Sequence, residues 1–154
     1  MLPCGFSNKI PLSACLNSFL KTDFIPEWLN FAVGYGADGK YGNEWDMTIW
    51  ISDRGIESGR LKDILIHEAA HAYSYLVLRG CVVPDGSTFR ELAHKRYGDE
   101  EHLADVFVLY YGGKWTNYDG RENIPIRDRS WMNNMIDYCN LYVYVWLLSQ
   151  LLIR

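Results

Sequence analysis

Apolar residues recur around a whole helical turn between residues 61 and 78, a stretch that contains neither glycine nor proline. Leu65, Ala69, Ala72 and Leu76 form one stripe, and Ile66, Tyr73 and Val77 broaden it. A helix apolar on most of its surface belongs in the middle of a domain, and Arg79-Gly80 supplies its stop. A second helical pattern runs from Asp99 to the glycine pair Gly112-Gly113, with Glu101, Ala104, Asp105 and Val108 on one face. Between them, Thr88-Phe89-Arg90-Glu91 has the spacing of a capping box and predicts a short helix that carries His94.

Upstream, 46–52 alternates among β-prone residues and predicts a strand, Met47 to Ile51 at its heart. The four glycines of 34–42 predict a loop, 13–21 a short helix, and Pro26 the first turn of another. Downstream, 112–129 reads as a loop. Ser130 is expected to cap a last helix through Ile153, with Trp131, Met135, Tyr138, Tyr142 and Val145 as its stripe. Its most apolar part, 138–153, holds Asn140, Ser149 and Gln150 and is shorter than the roughly 20 residues a spanning helix needs. The expectation is a core helix, with a membrane or partner-binding role as the alternative.

The most polar residues of the first helix change the picture. His67-Glu68-Ala69-Ala70-His71 is an HExxH pentad, and residues four apart on a helix lie one turn above each other. Both imidazoles can then aim at one metal ion. Imidazole suits Zn²⁺, and three protein ligands leave one position for water. Glu68, one position round, is the carboxylate that could take that water's proton. Glu101, on the second helix, is placed as third ligand, with Asp105 one turn along to accept a hydrogen bond from the outer nitrogen of a ligating histidine. His102 points about a quarter-turn from Glu101 and is assigned to the surface or the surroundings of the site. His94 is read as a helix-face residue that could reach an oxyanion if its loop folds over the metal.

These residues resemble the gluzincin metallopeptidases, HExxH enzymes whose third zinc ligand is a glutamate on a later helix, often in an ExxAD or ExxxD setting. Glu101-His102-Leu103-Ala104-Asp105 satisfies both spellings. The resemblance implies His67, His71 and Glu101 as zinc ligands, Glu68 as general base and Asp105 as the residue orienting a ligand. It covers two short segments. The metzincin pattern is not met, since the next histidine after His71 is His94, and Ser13-Ala14-Cys15-Leu16 is a poor likeness of the cysteine motif of peptide deformylases. In zincins an edge strand beside the metal helix pairs with extended substrate, and residues 47–51 are the candidate here.

Length and composition bound the rest. The 154 residues are most simply one domain spanning 1–154, and 49% hydrophobic content with six tryptophans and eleven tyrosines excludes disorder. A net charge of −4 with scattered lysines and arginines carries no nucleic-acid footprint. Cys4, Cys15, Cys81 and Cys139 include no CxxC pair. Reduced thiols are expected over bridges, because the N-terminus has no secretory pattern, which makes the cytoplasm the default location.

The expected fold is α+β and zincin-like: a small sheet packed on the HExxH helix and on the second helix that carries the glutamate. The expected function is zinc-dependent hydrolysis of peptide bonds in a protein or peptide substrate, with Tyr73, Tyr97, Tyr110, Tyr111, Tyr118 and His94 all open as donors to the oxyanion. Alternatives are a zinc hydrolase of a non-peptide or cell-wall amide bond and a non-catalytic zinc-binding module.

Overall fold

A computed structural model describes the backbone of residues 30–33, 39–41 and 48–152 and the side chains of 48–142. Cys4, Cys15, Met47 and the helices expected at 13–21 and from Pro26 lie outside the described residues. The described chain is mostly helical with one small sheet. In chain order it contains β1 (Asn30–Val33), β2 (Gly39–Tyr41), β3 (Thr48–Ile51), α1 (Asp53–Glu57), α2 (Leu61–Tyr73), α3 (Phe89–Tyr97), α4 (Glu100–Tyr110) and α5 (Ile126–Leu152).

The sheet order is β1-β3-β2, with β1 parallel and β2 antiparallel to β3. This corrects two expectations. β3 has a hydrogen-bonded neighbour on each side, so residues 47–51 do not supply a free edge. Residues 39–41, expected in a loop, are a strand in register with Ile51, Trp50 and Ile49, so Gly39 opens a strand instead of prolonging a turn. Along β3, Ile49 and Ile51 are buried and Trp50 is exposed, as its alternation requires.

Helix α2 packs between the sheet and α4. Every residue of it from Ile64 to Tyr73 is buried, consistent with apolar residues on all sides. It continues into a wider π-helical turn, Ser74–Leu78, which ends where Gly80 N–H donates to the Val77 carbonyl. Cys81 follows at once and is disulfide-bonded to Cys139 of α5, with Cα atoms 5.5 Å apart. The expectation of reduced thiols therefore fails for this pair. Sequence spacing carries no sign of it, because the partners are 58 residues apart and meet only through the packing of α5.

The capping box of α3 is complete: the Thr88 hydroxyl accepts from Glu91 N–H, and the Glu91 carboxylate accepts from Thr88 N–H. Asp99 caps α4 by accepting from His102 N–H at 3.0 Å. After α4 the chain turns at Gly113, where a Cβ would collide with the Asp63 carboxylate and the Val108 side chain, so only glycine fits.

Helix α5 starts at Ile126, four residues before the expected cap at Ser130. Pro125 fixes the entry, its carbonyl accepts from Asp128 and Arg129 N–H, and Asp128 sits favourably in the first turn. The buried stripe is Met132, Met135, Ile136 and Cys139; Tyr138 and Tyr142, expected in it, are exposed. No helix among the described residues is long and apolar enough to cross a membrane.

Candidate metal centre

Helices α2 and α4 pack side by side, and their polar residues meet in an otherwise apolar interface. His67 Nε2 lies 3.0 Å from Glu101 Oε2 and 3.2 Å from His71 Nε2, and His71 Nε2 lies 3.4 Å from the same carboxylate oxygen. The imidazole rings stand edge to face, their centres 4.9 Å apart. These three side chains form a group able to hold a metal ion.

Asp105 fixes the electronic state of the first of them. Its carboxylate is fully buried, and Oδ1 accepts from His67 Nδ1 at 2.9 Å. In the neutral imidazole the proton is then on Nδ1, and Nε2 presents a lone pair to the group. Glu101 adds an acceptor, and His71 can present another. Two imidazole nitrogens and a carboxylate oxygen therefore converge, a donor set that suits a cation.

The other oxygen of Asp105 does a second job. Oδ2 accepts from the backbone N–H groups of Asn117, Tyr118 and Asp119, at 2.8, 2.6 and 2.9 Å. The same loop is pinned at its start by Asp63 on the first turn of α2, which accepts from Lys114 and Trp115 N–H. The loop brings the Tyr118 ring to 6.1 Å from the His67 ring, nearly parallel, and Trp115 to 6.4 Å, with the Arg60 guanidinium 4.8 Å from Trp115. Sequence reasoning had 112–129 as a loop but missed Asp63, Trp115 and the contacts that pin the loop to the site. The contacts join residues about fifty apart, and no local pattern marks them.

The charge states follow from these neighbours. Burial pulls the His67 pKa down, but the hydrogen bond to Asp105 and the charges of Glu68, Asp105 and Glu101 outweigh it, leaving it raised. Hydrogen bonding to His71, opposed by burial and helped by His67, holds Glu101 below the usual carboxylate range. Burial would raise Asp105, yet His67 and the amides of Asp119 and Tyr118 bring it down instead. Glu68 is buried on α2 between the two histidines, close enough for its charge to act on His67.

Other predicted residues fall elsewhere. His94 Nε2 contacts Glu100 at 2.5 Å, an oxygen that also accepts from Arg90, and His102 contacts Asp99 at 2.7 Å, so neither joins the three-ligand group. Tyr73 and Tyr110 donate to Asn140 and Asn133, and Tyr111 packs on Phe107. Tyr118 is the tyrosine of the expected set whose ring lies against His67.

Comparison of the chain with protein-family models, curated proteins and solved structures finds no match.

Proposed function

We propose that this chain is a zinc-dependent hydrolase that cleaves peptide bonds, built on a zincin-like arrangement of helices α2 and α4. The observation that carries the reading is the convergence of His67, His71 and Glu101 around a shared point with Glu68 buried beside them. His67, His71 and Glu101 would hold the zinc, which when bound would lower the pKa of a water and polarise the scissile carbonyl. Glu68 accepts the proton of the attacking water and passes it to the leaving amine. Asp105 keeps His67 in the tautomer that exposes Nε2. The half-exposed Glu101 leaves the group open on one side, where substrate can arrive. A purely structural zinc site gains nothing from a buried, non-ligating carboxylate at position 68, which favours catalysis over a binding module.

In such a fold the extended substrate adds to a sheet edge. Among the described strands, β2 is both an edge and the strand nearest α2, so it takes the role expected of residues 47–51. The Cys81–Cys139 bridge fits an oxidising compartment better than the cytoplasm.

The test is digestion of an unbiased peptide library by zinc-loaded protein, alongside Glu68→Gln. The expected result is cleavage by the wild type and a fall of about 10²–10⁴ in turnover for the variant with zinc retained. Hydrolysis of non-peptide amides with no peptide cleavage would transfer the reading to that substrate class. Undiminished turnover by the variant would remove Glu68 as base.

A further inference from the structure

Away from the three-ligand group, a polar pocket of about 510 Å³ is lined by Arg96, Tyr97, Arg121, Arg127 and Asp128. Asp128 is buried and organises it. Its Oδ1 accepts from Arg96 Nε and Nη2, at 3.1 and 2.7 Å, and its Oδ2 accepts from Arg121 Nη1 at 3.1 Å. Arg121 is gripped on its other side by Asp119. The guanidinium groups of Arg96 and Arg121 also lie 5.7 and 6.0 Å from the Tyr97 ring, which restricts them further.

Two features are left over once these pairings are made. Arg127 is exposed and has no ion pair among the described residues. The Tyr97 hydroxyl oxygen is out of solvent with no hydrogen-bond partner among them, although Arg96 lies beside it. Three guanidinium groups thus face two carboxylates, leaving one positive charge and an unused hydroxyl in a polar concavity. The pocket also sits at the N-terminus of the 27-residue helix α5, whose dipole favours negative charge there.

We propose that this pocket binds a single carboxylate of a peptide, held by Arg127 and by the Arg96 Nη1 that Asp128 does not use, with the Tyr97 hydroxyl as a further donor. One negative charge balances the pocket, whereas a phosphate dianion would overfill it. Planar guanidinium groups match the two oxygens of a carboxylate. The pocket shares a loop with the metal centre: Asp119 N–H binds Asp105, and the Asp119 carboxylate binds Arg121. On the hydrolase reading the carboxylate belongs to the substrate, either an acidic side chain or the chain terminus, and the pocket contributes specificity.

The experiment is calorimetric titration of the full chain, prepared without metal, with four probes. These are an N-acetylated tripeptide amide ending in glutamate, its glutamine counterpart, an N-acetylated trialanine with a free carboxylate, and inorganic phosphate. At least one carboxylate peptide is expected to bind ten-fold or more tightly than the glutamine peptide, and which one does identifies the source of the carboxylate. Arg127→Gln, an exposed position outside the metal centre, is expected to weaken it about ten-fold, as is Tyr97→Phe to a smaller extent. Equal binding of charged and neutral peptides, tighter binding of phosphate, or unchanged affinity in Arg127→Gln overturns the proposal. Because metal-free binding is measured, failure here leaves the hydrolase reading standing, and loss of peptidase activity elsewhere leaves this pocket standing.

Discussion

Two buried aspartates organise two polar corners of this molecule, and they do so with opposite results. Asp105 accepts from an imidazole and three backbone amides, and what is left converging beside it is a set of metal-ligating atoms: His67 Nε2, His71 Nε2 and Glu101 Oε2. Asp128 accepts from two arginines, and what is left beside it are donors: Arg127 and the Tyr97 hydroxyl. Imidazole nitrogens beside a carboxylate oxygen suit a cation, and guanidinium and hydroxyl donors suit an anion. The side chains that each aspartate leaves over therefore separate the two sites.

The contrast has consequences of unequal size. Asp105→Asn turns an NH₂ group toward either the His67 N–H or the three loop amides, placing a donor against donors in a fully buried site. The expected outcome is a fall of about 10–100-fold in zinc affinity and a loss of about 2–4 kcal/mol in the stability of the metal-free protein, read by calorimetry and urea unfolding. A change in affinity with no change in stability would separate the imidazole contact from the loop contacts.

Asp128→Asn should do less. Arg96 and Arg121 keep about a third of their side chains in water, at 33% and 35% exposure, so solvent screens the lost attraction. The expected loss is about 1 kcal/mol, with zinc affinity unchanged. A drop in zinc affinity matching that of Asp105→Asn would mean that the two corners are coupled through Asp119.

The smallest effect is spectroscopic. Burial, then the charge of Asp128, outweighs Arg96 and Arg121 and pushes the Tyr97 phenol from 10.0 up to about 12. A raised phenol contributes stability below its unfolded value near pH 10 that disappears as pH climbs toward 12. Tyr97 therefore stays a neutral donor through the physiological range. Absorbance titration should find a phenol that ionises near 12 and is missing in Tyr97→Phe; its absence from the wild-type curve would place the hydroxyl in water.

The half of this comparison that was readable in advance is the half built on helical periodicity. His67, His71, Glu101 and Asp105 lie on two helices with clear patterns, and fixed spacings of three or four residues translate directly into shared faces. The structure brings all four together. The loop at 112–129 was legible, but its anchoring by Asp63 escaped, because Gly113 and the amides of 114–119 meet their partners through tertiary packing. The corner around Asp128 escaped for the same reason, since Arg96 and Asp128 lie 32 residues apart in the chain. β2 was hidden by its glycine-rich flanks; on α5 Met135 and Trp131 meet the core as expected, while Tyr138 and Tyr142 were misjudged because aromatic residues on an exposed face resemble core positions in a periodicity count.

The most direct test of the central claim is metal content. Protein purified without chelator and dialysed against trace zinc is expected to hold one zinc per chain by elemental analysis. His67→Ala and Glu101→Ala should each fall well below that, while Arg127→Gln stays at one. Zinc absent from the wild type, or retained in full by His67→Ala, would contradict the account.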